Sequence, residues 1–392
     1  MNTSTRKKAI RVLIDATSAR EGGGLTVVRN LIPALATQDR EYEYHVLLST
    51  RYQSSLSGSL PKKVKLIDTQ LPATPAIRRQ LYLQATLPKI LRTGDFDLAL
   101  SMSEIGAIQS HCPSVVLVHN AKHYAPFSTF RKFRNRLGFV TSYLPRHLFV
   151  CRTLRHASWL IFVSEALRKD VTNCLRLDLD RTSVIHHGLS ETFRREDGLG
   201  EVDLNPEGHP YLLSVSTLAH HKNYSTLFKA FAQLVNMNDG PDLYLVIAGS
   251  IDTNLQLHSS LMAESDSLGI TKRIRFLGRV EFNHMPSLYR GALAFISPSY
   301  LESFGLPLIE AMASGVPVLV SDLPVCREIC GDAARYFLPD QAGTIVDHLL
   351  ELMRDPVVRE TMIGSGLRRA NNFSWSRTAK QFTDVFEKVG RG

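Results

Sequence analysis

The stretch YLESFGLPLIEAMASGVPVLVSDLP, residues 300–324, decides the fold. Pro307 suits the first position of a helix, LPLIEAMAS is helix-forming, Gly315 is a natural C-terminal cap, and Pro317 stops continuation. The spacing predicts a short helix from about Pro307 to Ser314. An apolar run precedes it (LAFISPS, 293–299) and another follows (VPVLVS, 316–321), so the unit reads strand, loop, helix, strand. Such a unit is a right-handed crossover in a parallel sheet, where ligands gather at the carboxyl ends of the strands. The amides of Phe304, Gly305 and Leu306, at the start of that helix, suit an anion such as a phosphate. Glu302 and Glu310 border the same place, and their acceptor-only oxygens match the hydroxyl donors of a sugar. Taken alone, Glu302 reads as a solvated loop residue and Glu310 as an exposed helix residue. The small residues of AMASG and the adjoining anion site favour a ligand instead.

The rest of the 392-residue chain carries the same alternation in two halves. IRVLIDAT (10–17), the glycine run EGGG (21–24) and an amphipathic helix (25–38) open the first half. Strands YHVLLS, VKLIDT, LALS, SVVLVHN, WLIFVS and SVIHHG follow, with a helix near 77–93. A polar stretch rich in Gly and Pro, 196–210, reads as a linker. YLLSVST (211–217), LYLVIAG (243–249) and IRFLG (274–278) then alternate with helices over 223–237, 254–268 and 284–291. The pattern predicts two doubly wound α/β domains, residues 1–195 and 211–375, facing across a cleft.

Composition removes several alternatives. A hydrophobic fraction of 44% and a charged fraction of 21% are ordinary for a globular protein, and no apolar stretch approaches the roughly 18 residues that span a bilayer. Asp15 interrupts the first apolar segment too early for a secretory signal. Five scattered cysteines lack paired CxxC spacing, so neither a disulfide framework nor a zinc site is indicated, and a cytoplasmic location is expected. Cys326 and Cys330 read as two packed thiols on a short helix. Asp95-Phe96-Asp97 spells the diphosphate-metal motif, but it precedes strand LALS and reads as a turn cap.

The net charge of +9 is unevenly divided: residues 1–195 carry 29 Lys and Arg against 14 Asp and Glu, the remainder 17 against 23. Residues 121–156 hold eight Lys and Arg and no acid. There Arg131, Lys132, Arg134 and Arg136 interleave with Phe127, Phe130, Phe133, Leu137, Phe139 and Tyr143, the mixture expected of a helix in a membrane interface. The block reads either as a solvated face or as a surface for peripheral attachment to an anionic membrane, and the interleaved aromatic residues favour the membrane. A pI of 9.3 also raises nucleic acid as a partner, but no recognised nucleic-acid motif accompanies the charge, so none is expected.

Three further positions stand at predicted strand ends: Gly23-Gly24, His119 and Lys222. Alone, the glycines read equally as a tight turn, His119 as a structural histidine, and Lys222 as a surface cation. Together with ESFGLPLIE they form a known layout. The chain resembles retaining nucleotide-sugar glycosyltransferases of the GT-B fold, specifically family 4, along nearly its whole length and most strongly over 211–325. LGRV (277–280), MPSLYRGALAFISPSYLESFG (285–305), VSEALRKD (163–170) and FSWSRTA (373–379) carry the resemblance further.

The resemblance implies roles residue by residue. Glu310 would hold the ribose hydroxyls and Glu302 those of the transferred sugar. The amides of Ser303, Phe304, Gly305 and Leu306 would contact donor phosphate and sugar, Lys222 the pyrophosphate, and the backbone at Arg279 and Val280 the base. Gly23 and Gly24 would approach the phosphates and His119 the sugar. A final helix, about 376–392, would return to the first domain, which is the acceptor side. The family's usual Gly-Arg-Leu is here Ser216-Thr217-Leu218, which removes one cation; His220 or His221 is the available replacement, and Thr217 and His221 are expected on the donor side of the site. An Asn-Gly pair is here His187-Gly188.

The implied activity is metal-independent, retaining hexosyl transfer with no cofactor, from a nucleoside-diphosphate sugar to an acceptor hydroxyl. The expected acceptor is a lipid-linked glycan intermediate of bacterial surface polysaccharide, on the cytoplasmic face of the inner membrane. A soluble acceptor and a non-catalytic glycan- or nucleotide-binding protein are the alternatives.

Overall fold

A computed structural model describes residues 9–19, 22–38, 41–49, 60–69, 76–121, 144–194, 208–238, 240–252 and 254–390. Arg131, Lys132, Arg134 and Arg136 of the basic block, and most of the expected linker, lie outside them. The chain divides into two compact units: Met1–Gly188 with Trp375–Gly392, and Leu189–Ser374.

The first unit is built on seven parallel strands, β1 (Ile10–Asp15), β2 (Tyr42–Ser49), β3 (Val64–Thr69), β4 (Leu98–Ser101), β5 (Ser114–Val118), β6 (Trp159–Phe162) and β7 (Thr182–Val184). Their order is β3-β2-β1-β4-β5-β6-β7, with Ile14 of β1 opposite Val46 of β2 and Leu100 of β4. Strands covered on both faces read as continuous apolar runs, and β4, β5 and β6 are buried at every position. Asp97 Oδ2 accepts the Arg11 N–H (2.7 Å) where β1 and β4 begin side by side, so the Asp-Phe-Asp sequence caps a strand start. β7 is shorter than the expected SVIHHG strand, ending at Val184, and His187 beyond it is buried.

The helix Trp375–Gly390 packs within this unit. Its Phe386 meets Tyr42 edge-on (6.0 Å), Lys388 lies 4.2 Å over the Trp159 ring, and Thr378 Oγ1 donates to the His186 carbonyl (2.8 Å).

The second unit has six parallel strands, β8 (Tyr211–Val215), β9 (Tyr244–Ala248), β10 (Ile274–Gly278), β11 (Ala292–Ser297), β12 (Val318–Ser321) and β13 (Ala334–Phe337), in the order β10-β9-β8-β11-β12-β13. Leu227, Phe228 and Phe231 of the helix Tyr224–Val235 fill the space over β8 and β9 with Leu212, Leu245 and Ile247. The close passage after these two strands requires glycine at 249: a Cβ there would lie 1.9 Å from the Ser216 carbonyl oxygen. The helix expected from Pro307 runs Leu306–Ala313. Gly305 precedes it with φ 86°, the left-handed conformation that lets the loop after β11 turn sharply into the helix. Among the described residues no helix is long and apolar enough to cross a membrane.

Candidate functional site

In the second unit the strand order reverses between β8 and β11, so the loops that leave these two strands depart toward opposite sides and open a crevice at their carboxyl ends. Lys222 comes from the first loop and Glu302 from the second. Lys222 Nζ donates to Glu302 Oε1 at 2.5 Å, and Ser299 Oγ donates to the same oxygen at 2.9 Å. Their side chains keep 17% and 13% of their accessible surface, enough for a ligand to touch and too little for solvent to screen the pair as it screens a surface salt bridge.

The two loops are fixed to each other by a residue that sequence reasoning passed over. Asn223 is buried in the left-handed conformation (φ 55°) directly after Lys222. Its Nδ2 donates to the carbonyls of Pro298 (3.1 Å) and Pro339 (2.7 Å), and its Oδ1 accepts from Thr226 Oγ1 (3.0 Å). The Tyr300 N–H adds a bond to the His221 carbonyl (2.8 Å). Lys222 and Glu302 are thereby set by backbone rather than by their own flexible stems. Below them lie the two expected buried thiols: burial first, then the Glu302 charge, pushes the Cys326 thiol up, and burial takes Cys330 to about 12.

Glu310, in the second turn of the helix Leu306–Ala313, has a different partner. It is buried, and Tyr289 Oη donates to its Oε2 at 2.9 Å. Burial raises its carboxyl to about 7, against the Tyr289 hydrogen bond, which lowers it. Phe304 turns its ring into the interior, edge-on to Phe373 at 5.8 Å. Thr217 lies in the loop after β8, its carbonyl accepting from Ser216 Oγ (3.2 Å). Arg279 is exposed and Val280 half-buried just past β10, where the Gly278 carbonyl accepts the Gly249 N–H (2.7 Å).

In the first unit Gly23 and Gly24 are the opening residues of the helix Gly23–Ala36, not a turn before it; Gly22, with φ 59°, makes the turn. No side chain caps this helix, which leaves its first amides at the carboxyl end of β1. His119 follows β5. Its backbone N–H (2.8 Å) and that of Asn120 (2.5 Å) both donate to Glu104 Oε1. Glu104 is 2% exposed, three residues past β4, and was not foreseen. The available signal was its position directly beyond a strand at the point where strand order reverses. The His119 ring lies 6.4 Å from that of His187, which stacks obliquely on Trp375 at 5.7 Å. Burial, then the charges of His119 and His186, hold the His187 imidazole well below its usual range.

A family model described as "Glycosyl transferases group 1" matches residues 200–369, and one described as "Glycosyltransferase Family 4" matches 21–193. O-antigen chain mannosyltransferase B of Escherichia coli is 32% identical over 177 residues, 45% of each chain. A phosphatidyl-myo-inositol mannosyltransferase of Mycobacterium leprae is 31% identical over 171 residues, 43% of each. The chain spans about half the length of the curated relatives it matches. Among solved structures, sucrose-phosphate synthase of Thermosynechococcus elongatus superposes with a TM-score of 0.78 at 17% identity, covering 97% of this chain and 99% of that one. HepE of Anabaena, in complex with UDP and glucose, gives 0.77 at 19% identity over 97% and 100%. These likenesses, with the two parallel sheets, establish the GT-B fold.

Proposed function

The chain belongs to the group 1, family 4 glycosyltransferases, and from that premise we propose that it moves a hexosyl unit, with retention of configuration and without a metal, from a nucleoside-diphosphate sugar to an acceptor hydroxyl. The observation that carries this reading is the Lys222–Glu302 pair at the β8/β11 reversal. Cleaving the bond to the diphosphate develops negative charge on the leaving oxygen. A fixed ammonium group stabilises that charge more in the transition state than in the ground state, which is what raises rate. Entry of the diphosphate transfers Lys222 from Glu302 to phosphate and frees Glu302 to accept hydroxyls of the transferred sugar. Amides at the start of the helix Leu306–Ala313 add partial positive charge, and Glu310 takes the ribose hydroxyls. The leaving phosphate accepts the proton of the acceptor hydroxyl as that oxygen attacks from the same face, so the anomeric configuration is kept.

We assign the acceptor to the first unit and take it to be a lipid-linked glycan of surface-polysaccharide synthesis. The eight cations of 121–156 support an anionic membrane surface as the place of action, at about 1 kcal/mol for each Lys or Arg near it. The names of two relatives make mannose the first sugar to try.

The test is a thermal-shift panel of UDP, GDP, ADP, dTDP and CMP with their sugars, since a ligand of the native state raises its melting temperature. One base should stand out. Glu310→Ala should then weaken binding of the free nucleotide and Glu302→Ala should mainly lower turnover, each by roughly ten- to a hundredfold. No stabilisation by any member, or equal and negligible effects of both changes, would sink the reading. For the membrane, cosedimentation with anionic vesicles should fall as salt rises and when Arg131, Lys132, Arg134 and Arg136 become Ser.

A further inference from the structure

We propose that Tyr289 is a positioning residue for donor binding: its hydroxyl fixes one oxygen of Glu310 and keeps the carboxylate anionic, so that the remaining lone pairs accept the ribose diol. This deepens the reading above and rests on it.

The geometry begins with the ring. Tyr289 is fully buried on the helix Met285–Arg290, tilted on Phe295 (5.7 Å) and edge-on to Phe193 (5.8 Å), which meets Phe282 edge-on (5.6 Å). The helix is itself anchored, because Tyr211 Oη donates to the Leu288 carbonyl (2.7 Å). Contacts on several sides therefore place the Tyr289 hydroxyl before Glu310 arrives, and the 2.9 Å bond determines which way the carboxylate points.

The chemistry follows from burial. A carboxylate out of water reverts to its acid unless donors hold the charge, and a protonated carboxyl carries a donor of its own where two ribose hydroxyls need acceptors. Tyr289 is the titratable group that acts on Glu310 among the described residues, while Lys222 and Glu302 on the neighbouring loops are engaged with each other. Tyrosine suits the task because burial and the Glu310 charge push its own ionisation well above the usual value, so the donor keeps its proton. Phenylalanine would fill the same volume and leave the buried carboxylate without this hydrogen bond.

The experiment is calorimetric titration of the full chain with UDP, GDP, ADP, dTDP and CMP from pH 6 to 9, on wild type, Y289F, E310Q and the double variant. Wild-type affinity should fall as pH drops through about 7, as the carboxylate protonates. In Y289F the fall should begin at higher pH, giving about five- to tenfold weaker binding than wild type at pH 7 and near-equal binding by pH 9. E310Q should remove this pH dependence, and Y289F added to it should change affinity less than about twofold. Taking the ratio of variant to wild type cancels titration of the nucleotide itself. A Y289F loss of the same factor at every pH, or of the same factor in the E310Q background, would mean ordinary packing and overturn the inference alone. Wild type that binds none of UDP, GDP, ADP, dTDP and CMP at any pH would overturn the functional reading with it. Melting of Y289F within a few degrees of wild type identifies the loss as local.

Discussion

Both units place a glutamate in the same topological position, just past the strand where sheet order reverses: Glu104 after β4 and Glu302 after β11. The chain uses them differently. Glu302 meets a lysine from the loop after β8 and keeps some exposure, whereas Glu104 is nearly sealed and takes two backbone N–H groups from the loop after β5. A carboxylate bound to a cation can exchange partners when a ligand brings a competing anion. One bound to amides of its own fold has no reason to move. On the proposed function, the difference separates a site that binds from a brace that holds His119 and Asn120 in place.

The strongest way to break this comparison is Lys222→Ala. If the second unit's pair is chemical, transfer should fall by about a hundredfold or more, in line with losing one preorganised positive group at a leaving oxygen, and EDTA should leave wild-type activity intact. Retention of most activity would make Glu302 a brace as well. Next is Glu104→Ala, which strands two N–H groups and should lower the stability of the first unit by about 2–4 kcal/mol in urea titrations, while Glu104→Gln keeps an acceptor and most of the stability. An alanine variant that folds normally but has no activity would move Glu104 to the chemical side.

The smallest effect concerns pH, where the units should behave oppositely. Glu310 titrates near 7 in the fold against an ordinary 4.5, so the folded state binds the proton more tightly, and its contribution to stability declines as pH rises from about 4.5 to 7. His187 is depressed below its ordinary 6.5, so the unfolded state binds the proton more tightly, and stability is lost as pH falls below about 6.5. Hydrogen exchange read separately on each unit should show Glu310→Gln flattening the first trend and His187→Asn the second. Slopes of the same sign would contradict the assignment.

The sequence made the local parts of this architecture readable. Pro307 and Gly315 framed a helix that is found within one residue of its expected limits, and apolar runs such as SVVLVHN and LYLVIAG identified strands because a strand buried on both faces needs no polar alternation. Lys222 and Glu302 were legible for the same reason: each stands directly after a recognisable strand. Tyr289, Asn223 and Glu104 were not. Their partners lie 21, 75 and 15 residues away, at Glu310, Pro298 and His119, and no local period encodes a hydrogen bond made across a sheet. Nor did the glycine run reveal that its last two members enter the helix, since glycine permits a turn without requiring one.

One consequence lies in the order of synthesis. The second unit is a single uninterrupted segment, Leu189–Ser374, set inside the first, whose final helix begins only at Trp375. On the ribosome the domain begun first is therefore completed last. The second unit can assemble from continuous chain as it emerges, while the first waits, with Tyr42 and Trp159 still lacking Phe386 and Lys388, until residues 375–390 follow. A ribosome that stalls after Ser374 would release one finished domain and one missing its closing helix, and the exposed surface of the unfinished domain would be the natural target for a chaperone.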